Sequence, residues 1–195
     1  MRFRTFCINN RHIYYREILS SDPIFEKFYL IENPEQMEVI AIPDGSIDFE
    51  FTWEKNTCRG YVCGSFLQGQ KSAVSRYRQC FGLRLRWNMR FCFLGKSMVG
   101  LVDRRIPLSD YLDVSFLEKR LCGCSELEEM LEETLEFFKD QHYYTLPVIA
   151  CNAVQMITQS TGAQRVSDIA DLMGYTQHYV NSIFKQNYGV PLKKY

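Results

Sequence analysis

Apolar and polar residues alternate along much of the first half of the chain, as they do in β-strands with one buried face. The alternation is clearest over residues 47–53 and again over residues 79–86. A short apolar run over 37–42 precedes the turn sequence Pro43-Asp44-Gly45, which predicts a hairpin with the strand that follows. Residues 61–63 add a further short strand, and strands at these intervals predict a β-sandwich or a small barrel.

After Pro107 the apolar residues recur at every third or fourth position, which indicates helices. Residues 109–112 and 116–121 predict short helical pieces. The sequence Ser125-Glu-Leu-Glu128 is typical of a capping box and predicts the start of a helix that ends near Gln141. Pro147 suits the first turn of a further helix, which ends near Gly162.

The segment from Arg165 to Tyr195 carries the spacing of a helix-turn-helix, two helices joined by a tight turn. Ser167 is placed to cap the first helix, and Gly174 is placed to end it, because glycine takes a positive φ without penalty. Thr176 is placed to cap the second helix. The inward positions are Ile169, Ala170, Met173, Val180, Ile183 and Phe184. The outward positions of the second helix are polar, and this combination indicates DNA binding.

Together these patterns predict an α+β fold: a β-rich N-terminal barrel or sandwich, a helical connector and a helix-turn-helix. We assign residues 1–122 to a β-rich effector or interaction domain, 123–145 to the connector helix and 146–195 to the helix-turn-helix subdomain. The apolar face of the connector helix is bordered by acidic residues. Such a face suits a homodimer interface through residues 125–141 as well as a place in the domain core, and both remain open.

Composition and charge change this picture only slightly. With 46% apolar and 24% charged residues, the chain has the composition of a soluble globular protein. Its 23 basic and 23 acidic residues cancel, so the net charge gives no sign of a nucleic-acid partner. From Pro147 onward there are four basic and two acidic residues, an excess of +2 that agrees mildly with DNA binding.

The eight cysteines and three histidines form no recognisable metal or catalytic motif. Cys122-Gly123-Cys124 lacks the second pair or the neighbouring histidine that would complete a tetrahedral site. The sequence also lacks a nucleophile elbow, a phosphate-binding loop and a dinucleotide fingerprint. We therefore expect no enzyme activity, no metal and no cofactor, with a redox or metal role of these thiols as the open alternative.

The start of the sequence has no apolar signal-peptide core, and no apolar run is long enough to cross a membrane. These two features predict a cytoplasmic protein with reduced thiols and no membrane partner.

One segment carries a specific family motif. Residues 166–176 read Val-Ser-Asp-Ile-Ala-Asp-Leu-Met-Gly-Tyr-Thr, and Tyr179, Phe184-Lys185 and Gly189-Val190-Pro191 follow in register. This pattern resembles the first of the two helix-turn-helices of AraC-type transcription regulators. The resemblance implies that the second helix enters the major groove of DNA. The residues that it places against bases are Gln177, His178, Asn181 and Ser182, and those that it places against phosphates are Lys185 and Thr176.

A second resemblance covers residues 42–49, 82–86 and 107–112, which are similar to an N-terminal sensing domain found ahead of AraC-type DNA-binding regions. This chain departs from that pattern at Trp87-Asn88. Arg84 and Arg86 share one strand face and are the candidate site for an anionic small-molecule effector, with a solvated strand face as the alternative.

The resemblance also implies a linker helix after Pro191 and a second helix-turn-helix, but the sequence ends at Tyr195. We therefore expect a fragment of a longer regulator that binds DNA weakly by itself, because affinity grows with the number of phosphate contacts. The predicted function is that of a sequence-specific DNA-binding transcription regulator of AraC type. The alternative is a noncatalytic interaction protein that titrates full-length regulators without binding DNA.

Overall fold

The computed structural model describes residues 12–160 and 162–195, and its fold is mixed α+β, as the sequence predicts. An antiparallel sheet of six strands is followed by five helices. The strands are β1 (Tyr14–Leu19), β2 (Phe25–Glu32), β3 (Ile40–Ala41), β4 (Asp48–Glu54), β5 (Thr57–Cys63), β6 (Gln70–Lys71), β7 (Gln79–Leu85), β8 (Met89–Phe91), β9 (Arg105–Pro107) and β10 (Tyr143–Thr145). The α-helices are α1 (Ser115–Leu121), α2 (Leu127–Phe138), α3 (Val148–Gln159), α4 (Val166–Leu172) and α5 (Gln177–Tyr188).

The six-stranded sheet has the order β1-β2-β7-β4-β5-β9 and leaves β1 and β9 at opposite edges. Within the described residues these edges do not pair, so the closed-barrel alternative is wrong. Two short pairs, β3 with β6 and β8 with β10, form separate two-stranded sheets.

The predicted hairpin across Pro43-Asp44-Gly45 is also wrong. The two hydrogen-bonding sides of β4 are taken by β5 and β7, so β3 pairs with β6 instead. Gly45, at φ +70°, turns the chain between the β3–β6 pair and the six-stranded sheet.

The main core packs against one face of the sheet and is rich in phenylalanine. The ring of Phe138 on α2 lies 5.4 Å from that of Phe49 on β4 and 5.3 Å from that of Phe91 on β8. Leu127 and Met130 bury the rest of the same helix face. The capping box of α2 is formed by Glu126 and Glu129, one residue later than predicted. The apolar face of α2 is thus covered by its own sheet, and a homodimer through 125–141 would have to use the charged outer face.

A second core joins α3, α4 and α5 through residues that include Ala153, Ile169, Val180 and Phe184. It meets the sheet region near the end of α5, where the Met98 N–H donates to the Gln186 carbonyl at 2.9 Å. None of the helices in the described part of the chain has both the length and the apolarity that a bilayer crossing requires.

Candidate functional site

The turn between α4 and α5 is built from backbone hydrogen bonds that depend on Gly174. Gly174 has φ +73°, and its N–H donates to the Asp171 carbonyl at 3.0 Å. The Tyr175 N–H donates to the Ala170 carbonyl, also at 3.0 Å. These two bonds form a Schellman motif, so the glycine predicted to end the first helix does so.

The predicted N-terminal cap is observed for α5 but not for α4. The Thr176 hydroxyl accepts a hydrogen bond from the Tyr179 N–H at 3.2 Å and caps α5, as predicted. The prediction that Ser167 caps α4 is wrong, because Arg165 holds the cap position two residues earlier and Ser167 already lies within the first turn of the helix. The Ser167 hydroxyl instead donates to the Asp168 carboxylate at 3.0 Å.

The two faces of α5 are chemically distinct. Its inner face is buried at Val180 and Phe184 and half-buried at Ile183. Of the residues predicted to meet DNA, the exposed ones are Thr176, Gln177, His178, Ser182 and Lys185. The helix thus presents a polar outer surface in the helix-turn-helix.

Asn181 is placed differently from the other predicted contacts. Its side chain is half-buried, and its Oδ1 atom is buried with no hydrogen-bond partner among the described residues. An acceptor in that position has no open path to a base edge, which makes Gln177 the better candidate for reading adenine.

An exposed aromatic pair, which the sequence pattern does not predict as part of the site, lies beside this surface. Tyr175 and Tyr179 are both about half exposed, and their rings lie 5.4 Å apart. Leu172, at the end of α4, is 69% exposed. The signal in the sequence was the break in period at these positions, where large apolar residues fall outside the buried stripe.

A second candidate site is a polar cavity of about 270 Å³ on the other face of the sheet. The alternation over 47–53 predicts one buried face, but residues 48–52 are buried on both faces. The charged groups that line the cavity are Asp44, Asp48, Glu50, Lys71, Arg76, Arg84, Asp103 and Arg105.

Arg84 is held by carboxylates within this cavity. Its Nε and Nη2 atoms lie 2.8 Å from the two Asp48 carboxylate oxygens, and Nη1 lies 2.7 Å from Asp44. The Tyr29 hydroxyl donates to the same Asp48 carboxylate at 3.1 Å. Burial by itself would lower the pKa of Arg84, but the adjacent Asp48 and Asp44 raise it well above the ordinary value.

A second ion pair in the same cavity joins Arg105 to Glu50. Arg105 Nε donates to Glu50 at 3.3 Å, and its Nη2 donates to the Thr52 hydroxyl at 3.0 Å. The guanidinium also lies over the Tyr61 ring, 3.3 Å from its centroid. Burial raises the pKa of Glu50, and Arg105 opposes that rise. The cavity therefore balances its buried charges internally.

Arg86, the other predicted effector residue, bonds to backbone rather than to carboxylates. Its Nε donates to the Asp22 carbonyl and its Nη2 to the Ser20 carbonyl, both at 2.9 Å. Arg84 and Arg86 both line a larger opening of about 1060 Å³ between the sheet and α3. We call this opening the sheet–helix groove.

Within residues 12–160 and 162–195, no three His, Cys, Asp or Glu side chains gather in a way that could hold a metal ion. Cys7 lies outside those residues. No family model, curated protein or solved structure matches the chain. The resemblance to AraC-type regulators therefore stays an expectation drawn from the sequence motifs.

Proposed function

We propose that the chain is a sequence-specific DNA-binding transcription regulator of the AraC type, and that it reads DNA with the outer face of α5. The observation that supports this proposal is the form of the α4–α5 pair. A glycine-ended helix, a tight turn and a capped second helix leave one face of α5 polar and exposed while its opposite face is buried.

Two residues carry distinct parts of the proposed contact. Lys185 is exposed and forms no ion pair with any described residue, so its ammonium group is available to a phosphate. Gln177 is exposed in the first turn of α5 and has the amide geometry that bonds adenine in two places.

Regulation in this proposal comes from the sheet region. The end of α5 is tied to that region by the hydrogen bond from Met98 to Gln186. A ligand with different affinity for two positions of the sheet region would then shift a pre-existing balance between two positions of α5.

Selection from a random duplex library followed by fluorescence anisotropy tests DNA reading. Lys185→Ala is expected to weaken binding to all duplexes and to reduce the salt slope by about 1. Gln177→Ala is expected to relax the preference at one base pair, at a cost of about 1–3 kcal/mol in discrimination. Lys119→Ala is the matched control, because Lys119 is an exposed lysine on α1, remote in sequence from the reading helix.

Two outcomes would contradict the proposal. One is an unchanged salt slope in Lys185→Ala, and the other is a failure of the wild-type chain to enrich any duplex at low salt. Light scattering then separates the alternative function, because a chain that only titrates other regulators is expected to self-associate without binding DNA.

A further inference from the structure

Arg90 is a buried arginine without an acidic partner. It is 2% exposed, and the shortest hydrogen bond of its Nη1 is to the Met89 carbonyl at 2.6 Å. Its Nη2 reaches the Asn187 carbonyl of α5 at 3.4 Å, and its Nε has no hydrogen-bond partner among the described residues. The guanidinium also lies 5.4 Å from the centre of the Tyr188 ring. A buried charge compensated only by carbonyls and a ring is costly, and here burial lowers the pKa of Arg90.

Arg86 lies beside Arg90 and has the same kind of partners. The Arg86 carbonyl accepts from Arg90 Nη1 at 3.4 Å, and the Arg86 guanidinium bonds to the Ser20 and Asp22 carbonyls. Neither guanidinium forms an ion pair with a carboxylate of the described residues. Two positive charges therefore line the same opening with no negative charge bound to them.

The other charged groups of the sheet–helix groove are mostly paired. Lys27 lies 2.9 Å from Glu17, and Arg84 is held by Asp44 and Asp48, which leaves Glu26 as the remaining acid on the wall. The apolar part of the wall is formed by Leu19, Ile47, Leu85, Trp87, Val154 and Tyr195.

We propose that the sheet–helix groove binds a small organic carboxylate, whose charged end is held by Arg86 and Arg90 and whose apolar part lies against Trp87 and Val154. A carboxylate can accept two parallel hydrogen bonds from a planar guanidinium group and also offsets its charge, which the neutral carbonyls around Arg86 and Arg90 do not do. The opening of about 1060 Å³ is large enough for a ligand of this kind.

The groove lies where a bound ligand can affect the position of α5. This regulatory role rests on the proposed function. Arg90 spans from the groove to the last turn of α5 through Asn187. A carboxylate that draws the Arg90 guanidinium toward the groove loosens that contact, and the position of α5 then depends on the ligand.

Tryptophan fluorescence tests the binding step without DNA. The chain has two tryptophans, and Trp53→Phe leaves Trp87 in the groove as the reporter. The probes are hexanoate and benzoate, each compared with its uncharged amide. At least one carboxylate is expected to give a saturable change in Trp87 emission, with the matching amide weaker by roughly tenfold or more.

Variants separate the charge contacts from general effects. Arg86→Gln and Arg90→Lys are each expected to weaken carboxylate binding by roughly tenfold, the second because lysine keeps the charge but lacks the planar fork. Arg78→Gln, at an exposed arginine outside the groove, is the control and is expected to bind as the wild type does. If Arg90→Lys fails to fold by circular dichroism, Arg86→Gln decides.

The proposal is overturned if neither carboxylate gives a saturable change, if the amides bind equally well, or if Arg86→Gln binds like the wild type. None of these readouts involves DNA, so a failure here is distinct from a failure of DNA reading.

Discussion

Gly189, which ends α5, lies in a space that has no room for a side chain. It has φ +82°, and a Cβ there would lie 2.6 Å from Val102 Cγ2 and 2.7 Å from the Met98 carbonyl oxygen. Gly174 has a similar φ of +73°, but a Cβ at that position meets no described atom within 4 Å. The two glycines therefore share a backbone requirement and differ in crowding.

Gly189→Ala is expected to lower the free energy of unfolding by about 3 kcal/mol, the sum of left-handed strain and overpacking. Gly174→Ala carries the strain alone and is expected to cost about 1–2 kcal/mol. Urea unfolding of both variants measures the difference. Equal losses in the two variants would show that the contact with Met98 and Val102 contributes nothing.

Cysteine reactivity provides a second prediction at the residue scale. Burial, and then the nearby Glu50, raises the pKa of Cys63 and Cys80 well above the ordinary thiol value. A higher pKa lowers the thiolate fraction at any given pH, and the thiolate is the form that reacts. At about pH 8, iodoacetamide is expected to label the exposed Cys92 in the folded protein and to leave Cys63 and Cys80 unmodified until denaturant is added.

Peptide mass spectrometry measures this labelling. Modification of Cys63 at the same rate as Cys92 in the native protein would contradict the burial of Cys63, which is 5% exposed.

Some site residues were not predictable from their own strand. Asp48 and Glu50 occupy positions that alternation assigns to solvent, and they are buried because another strand brings an arginine to each. Asp48 lies directly opposite Arg84 in the register of β4 and β7. The register depends on long-range pairing between strands. The pattern of one strand therefore reveals its charged residues but not which charged residue of another strand lies opposite them.

At the scale of elements, the helices were the most predictable part because their apolar positions are strongly periodic. The bounds of α2 and α3 and the start of α5 fall close to the predicted ones, and the glycine and threonine signals around the α4–α5 turn were confirmed. The pairing of β3 with β6 was not predictable, since each has only two residues and the choice depends on which neighbours already occupy β4.

The helix α2 provides a prediction for the packing of helix on sheet. Phe138 is 4% exposed, and its ring contacts those of Phe25, Phe49 and Phe91. Phe138→Ala is expected to lower the free energy of unfolding by about 3–5 kcal/mol, because it leaves a cavity among these rings.

Chemical denaturation measures this loss. Glu132→Ala on the exposed face of α2 is the control and is expected to change stability by less than about 0.5 kcal/mol. A loss below about 1 kcal/mol in Phe138→Ala would mean that α2 does not cover the core as described.

At the scale of the whole molecule, the two cores are joined where α5 meets residues 89–102. The joining contacts include the bond from Met98 to Gln186, the bond from Arg90 to Asn187 and the packing of Gly189 on Val102. Such contacts couple the helical core to the sheet core.

We therefore expect the two cores to unfold together. Both tryptophans lie in the sheet region, and far-ultraviolet circular dichroism also reports α3, α4 and α5. The urea midpoints of the two signals are expected to coincide in the wild type and to separate in Gly189→Ala. Loss of the helical signal first in the wild type would show that the cores are independent.

Because α5 is anchored to the sheet region at its last turn, a small rotation there produces a larger displacement at its first turn. Its twelve residues make a rod of about 18 Å that packs on α3 and α4 through its inner face and is tied to the sheet region at its last turn by Met98 and Arg90. A tilt of about 10° at the held end moves the far tip by roughly 3 Å, close to the spacing of successive bases along one strand. In the proposed complex with DNA, a movement of that size at Gln177 would be enough to change the base pair that this side chain faces.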